Sequence, residues 1–269
     1  MLENYLITLV VVGLLAFVIS VRPKTNYNQK RLWYLSWTQI LVLVVLPGVL
    51  FPMLFSYMQS LVDRPLNQWV WISDKLLVDI TLLAMMFTYG GVAIHAVTKM
   101  MADYLRRDDS EVARMNRFFH MTLSHNLSYA AGIVVVLGFT LLELNHVPPE
   151  GVGNWGWGVL RGVIFGISYI LMVKNYTGYV GDNYRGRWSE LKVLFMVAWI
   201  AFVLCLYVVK RMDQRITEYQ LVLPTLLSFS MMVLLSLVLV LRRVKRGWRV
   251  LVSQKRLQRI MSLTEDEWS

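Results

Sequence analysis

The sequence predicts an all-α integral membrane protein, a bundle of seven transmembrane helices with its N-terminus outside and its C-terminus in the cytoplasm. Three observations carry that expectation. Of the 269 residues, 57% are hydrophobic and 16% charged, against about 25% charged in an ordinary soluble domain. Seven stretches approach the length of about 20 apolar residues that a helix needs to cross about 30 Å of hydrocarbon. Finally, 21 of the 27 lysines and arginines fall in segments that a seven-span arrangement puts on one side, the bias that orients multi-pass proteins toward the cytoplasm.

The expected spans are 2–21, 33–58, 76–97, 120–144, 159–176, 191–209 and 221–241. The first has no basic n-region before it and no small-residue cleavage site, so it reads as a retained span and not as a signal peptide. In the second, Pro47, Gly48 and Pro52 remove or weaken backbone bonding and predict a kink. The fifth begins close to Arg161. The basic loops are 22–31, 98–119 and 174–192, together with the tail from Arg242; the opposite loops hold Arg64, Lys75, Lys210, Arg211 and Arg215. Residues 1–241 thus read as one transmembrane domain. Residues 242–269 read as a basic cytoplasmic tail, in which Trp248, Leu251, Leu257 and Ile260 alternate with Lys and Arg as in an interfacial helix on an anionic leaflet. No polar block is long enough for a soluble catalytic domain. The single cysteine, Cys205, excludes a disulfide framework or a cysteine-rich metal cluster.

Three of the four histidines flank the charged hinge 98–119. His95 falls near the end of the third span, and His125 about one and a half turns into the fourth from the same side. Consecutive antiparallel spans are usually neighbours, so the two imidazoles are expected to face each other at similar depth. Gly91 precedes His95 by four residues and Gly132 follows His125 by two turns. Small residues there give a flat macrocycle room to lie against the helices, which suits haem b with His95 and His125 as axial metal ligands. His120 is about 140° around an ideal helix from His125, so a single ion is not expected to use both.

Further features lie outside that pair. Gly158, Gly162 and Gly166 form a small-residue face for close helix packing, within the bundle or against another subunit. Asp79, Glu143 and Arg161 are charges expected at the opposite ends of their spans, where Arg161 would pair with Glu143 or Asp79 because an unpaired charge at membrane depth is costly. The loop 175–188 is polar, aromatic and glycine-rich, suited to a headgroup, a quinone ring or a partner, or simply to the interface.

The segments Ser124-His125-Asn126, Asn145-His146-Val147-Pro148 and Trp155-Gly156-Trp157 resemble the membrane domain of cytochrome-linked urate oxidases. The likeness covers about thirty residues; the spacing between the histidine motifs differs, and residues 1–110 have no counterpart. It implies redox chemistry and nothing finer.

Several classes are excluded on residues. The last span has no lysine for a retinal Schiff base, and there is no His-Glu-x-x-His, Walker A or Gly-x-Ser-x-Gly motif. The basic residues follow the membrane face and do not form a nucleic-acid surface. Asn126-Leu127-Ser128 and Asn175-Tyr176-Thr177 match the glycosylation pattern, but neither position is expected to be modified, one being buried and the other cytoplasmic. Two functional expectations remain. One is a membrane subunit acting in assembly, transport or signalling, with the lipid bilayer and other membrane subunits as partners. The other is a haem b electron-transfer subunit of the cell membrane.

Overall fold

A computed structural model describes residues 31–32, 35–40, 45, 48–68, 70, 72–105, 110–149, 154–178, 199, 203, 216–235, 237–238 and 241. The described residues are mainly helical, and among them two helices, Asp74–Met101 and His125–Leu144, are long and apolar enough to cross a membrane. The expected spans 2–21 and 191–209, the tail 242–269 and most of the loop 175–188 lie outside the described residues, residues 199 and 203 and the end of a helix at Gly178 apart.

In chain order, β1 (Arg31–Leu32) pairs antiparallel with β2 (Leu35–Ser36), and the short α1 (Trp37–Ile40) follows. Within the second expected span, residues 35–36 are therefore strand and not helix. Its latter part is α2 (Phe51–Val62), reached through a π turn over 48–50. Pro52 sits in the first turn of α2, the part of an α-helix that tolerates proline best. The expected kink is thus a change of winding. Next come α3 (Asp74–Tyr104), α4 (Glu111–Phe118), a π-helical turn π1 (Phe119–Ser124), α5 (His125–Leu144) and α6 (Trp155–Gly178). The last described helix is α7 (Val222–Leu235).

Local signals set these boundaries. Ser73 caps α3 by accepting from the Leu76 amide, and Ser110 caps α4 by accepting from Ala113, each satisfying a donor that the first turn leaves open. Asp74 and Glu111 add negative charge to first turns, and Arg117 adds positive charge to the last turn of α4, all favourable to the helix dipole. With 31 residues, α3 is about 46 Å long at about 1.5 Å per residue. It therefore outruns the expected span and carries Thr98 and Lys99 into the hinge.

The antiparallel pair α3 and α5 makes the most extensive contact between elements. Two glycines allow it. A Cβ on Gly91 would lie 2.8 Å from the Ser128 amide nitrogen and 2.9 Å from the Ser124 carbonyl oxygen, and one on Gly138 would meet the Thr81 hydroxyl. The glycine face of α6 lies against α7 of the same chain: a Cβ on Gly158 would meet Leu223, on Gly162 Leu227 and Pro224, and on Gly166 Met231. Outward, α3 exposes Leu76, Ile80, Leu83 and Phe87 at helical spacing, with Met86 71% exposed, an apolar stripe along the face turned away from the core. Inward, Tyr57, Met58 and Leu61 of α2 pack with Leu77 and Met85 of α3 and Phe139 and Leu142 of α5. A second cluster joins Ile133 of α5, Tyr169 of α6 and Phe229 and Met232 of α7.

Gly90 and Gly91 separate packing from helix propensity. Among the described residues, nothing lies within 4 Å of a Cβ on Gly90. Gly90→Ala is therefore expected to leave stability unchanged or raise it by about 0.5–1 kcal/mol through helix propensity. Gly91→Ala, which pushes on backbone, is expected to lower it by about 1–3 kcal/mol. Thermal unfolding in detergent, comparing the two variants, reads this difference directly.

Candidate functional site

The hinge end of the α3–α5 pair gathers three histidines. A ligand nitrogen of each of His95, His120 and His125 lies within 4.8 Å of the others. His95 is the middle ring, stacked on His120 (centroids 4.4 Å apart, planes at 29°) and on His125 (4.8 Å, 25°). The outer two rings are 5.8 Å apart and inclined at 54°. The two smaller tilts thus accumulate into the larger one, and the three centroids form a compact triangle. The Tyr129 ring stands beside His125, with centroids 5.9 Å apart.

His120 reaches this cluster because of π1. On an ideal α-helix, positions 120 and 125 point about 140° apart. Residues 119–124 instead wind as a π-helix, whose i→i+5 bonding sets residues five apart nearly over one another. The sequence expectation that His120 and His125 cannot serve one ion is therefore corrected, and the cause is this local winding.

Hydrogen bonds fix the His120 ring. The Thr98 hydroxyl donates within its own helix, to the carbonyl of Ile94 at 2.7 Å or that of His95 at 3.1 Å, so its oxygen is left to accept. His120 Nδ1 lies 3.1 Å from that oxygen. A hydroxyl whose proton is already committed accepts from Nδ1–H, and this tautomer leaves Nε2 with its lone pair. Asn116 of α4 donates to the Thr98 carbonyl at 3.0 Å, and Ser124 donates to the carbonyl of His120. Lys99 lies within electrostatic reach of His95 and His120.

The haem expectation meets this geometry as follows. Axial ligands of one iron point at each other across a flat macrocycle, whereas the His95 and His125 planes lie face to face. Gly91, expected to make room, is occupied by the α5 backbone. Around Gly132 there is space, since a Cβ there would meet nothing within 4 Å among the described residues.

The opposite end of the pair is a polar knot. The last carbonyls of α5 lack helical partners, and Asn67 supplies them: its side-chain amide donates to Leu144 O at 2.8 Å and His146 O at 2.9 Å, with the Tyr219 hydroxyl 3.2 Å away. Asn145 donates to Ile72 O at 2.7 Å and Asp74 Oδ1 at 2.8 Å. His146 is fully buried, with Nδ1 2.8 Å from Arg64 O and Nε2 3.1 Å from Asp74 Oδ2. Both nitrogens thus face oxygen atoms. Burial pushes the Tyr219 phenol up to about 12, so it stays neutral.

Of the expected charge group, Glu143 is 1% exposed and its carboxylate accepts from the amides of Gln220 and Leu221, each at 2.7 Å. It therefore caps the entry to α7. Arg161, 4% exposed, lies within electrostatic reach of Glu143 and Tyr57. Asp79 is exposed. Sequence reasoning missed Asn67, Thr98 and Asn145. Their one sequence signal was position, a polar residue near a helix end, where backbone groups need partners.

Glu143→Gln is expected to lower stability by about 2–3 kcal/mol, because a neutral amide presents one oxygen and one NH₂ to two N–H donors that now meet a charged acceptor. The loss should be visible as a lower unfolding midpoint. No protein-family profile, no curated protein and no solved structure matches this chain.

Proposed function

We propose that the chain is a multi-spanning subunit of the cytoplasmic membrane, with seven spans, N-terminus outside and C-terminus inside, whose work is done at a histidine-ligated metal or haem centre where α3 and α5 meet. The observation that carries this reading is the convergence of His95, His120 and His125 at one end of the two helices apolar enough to cross a membrane. Ionisable side chains at membrane depth are costly and are retained where they handle ions, protons, electrons or ligands. The basic hinge 98–119 assigns this end to the cytoplasmic face, and the opposite end, with its polar groups tied into one another, is the structural closure.

The alternative reading is a scaffold for assembly, transport or signalling that holds no cofactor. Its most specific surface, the face of Gly158, Gly162 and Gly166, is covered by α7. A scaffold would therefore recruit other membrane subunits through its basic loops and tail. The cofactor reading uses residues that the scaffold reading leaves without a role. Electron exchange with a quinone or a redox subunit and the handling of a metal ion are the two chemistries such a centre serves.

Protein purified from haem- and metal-replete cells is expected to contain stoichiometric haem, seen in a reduced-minus-oxidised visible spectrum, or a stoichiometric d-block ion, seen by elemental analysis. A clear preparation that holds neither, and takes up neither when supplied, would contradict the proposal and leave the scaffold.

A further inference from the structure

We infer that His95, His120 and His125 form a site for one bare divalent transition-metal ion of the zinc(II)–copper(II) class, with a fourth coordination position left to an exchangeable ligand. This rests on the histidine-centred reading above and narrows it to an ion without a macrocycle.

Distance comes first. A tetrahedral ion bound at about 2.0–2.1 Å holds its nitrogens about 3.4 Å apart. The three donors already lie within 4.8 Å of one another, so modest rotations of the side chains close the site. The compact triangle of ring centroids, with sides of 4.4, 4.8 and 5.8 Å, suits this, since each ring has only to turn one nitrogen toward the middle. A haem between any two rings would have to part stacked imidazoles and displace the α5 backbone from Gly91.

The second argument is preorganisation. Metal-bound imidazoles ordinarily donate their other nitrogen to a fixed acceptor, which sets the tautomer and aims the lone pair. Thr98 does this for His120, its own proton being committed to a backbone carbonyl. The π winding of residues 119–124, an uncommon conformation that is frequent at functional sites, has the consequence of delivering His120.

The donor set gives the class of ion. The cluster is made of three imidazoles, neutral when they ligate, which suits zinc, copper and nickel and not the oxygen-seeking calcium or magnesium. Three protein ligands with an open position mark sites of exchange or chemistry, whereas closed four-ligand sets mark structural zinc. A dication here keeps its full charge beside Lys99, and that field favours water, hydroxide or another anion as the fourth ligand.

The test uses the full-length protein in nanodiscs, equilibrated with zinc alone, desalted and analysed for metal, with affinity from competition against a chromogenic chelator. One zinc per chain is expected. His95→Ala, His120→Ala and His125→Ala should each weaken binding at least about 100-fold, and Thr98→Val about tenfold. A wild-type measurement stands beside these in case a variant misfolds: zinc should protect His95, His120 and His125, and not His146, from diethyl pyrocarbonate, read by peptide mass spectrometry. Zinc uptake indifferent to all three histidines, without protection, overturns the inference. A haem spectrum with no zinc uptake overturns it too, but leaves the histidine-ligated centre standing. Uptake of neither overturns both.

Discussion

The backbones of α3 and α5 touch at Gly91, and what happens at either end of the pair depends on that contact. A Cβ there would collide with the Ser128 amide and the Ser124 carbonyl, so any other residue would hold the helices farther apart. In hydrocarbon, close backbone approach replaces the hydrophobic drive that packs helices in water. Gly91 is about one turn from His95, and Ser124 ends the π turn that carries His120. The same contact that packs the helices therefore sets the distance between the histidines. Gly138 against Thr81 extends the seam toward the other end.

The two ends put polar groups to different use. At the Asn145 end, Asn67, Asp74, Glu143 and His146 are occupied with backbone groups and with one another, which is what burial in a low-dielectric setting demands. Glu143 is the best case, since both its oxygens are taken by the amides that start α7, a charged cap on a helix N-terminus. At the hinge end, by contrast, His95 stacks on His120 and on His125, and the Nδ1 of His120 lies at the Thr98 hydroxyl. Closure at one end and presented donors at the other give the pair a direction.

Much of this could be read from residue order. A charged hinge between two apolar stretches puts His95, His120 and His125 at one end, because an antiparallel hairpin returns the chain to the same level. A glycine every fourth residue from Gly158 announces a packed face. Two other features were not legible. The π winding of residues 119–124 has no local signature that distinguishes it from α-helix. The ideal-helix angle therefore separated His120 from His125. Asn67 likewise belongs to no periodic pattern; its partners lie 77 and 79 residues away in sequence, so its role follows from the fold alone. For Asp79, helical phase turned it to the exposed side, where sequence depth alone had grouped it with Arg161.

The central claim is that three imidazoles from two helices share one centre. X-ray absorption at the zinc edge of the loaded protein tests it most directly, because imidazole rings scatter distinctively and can be counted. The account predicts three imidazole nitrogens at about 2.0 Å with one further light ligand. A shell of oxygens alone, or a single imidazole, would contradict it.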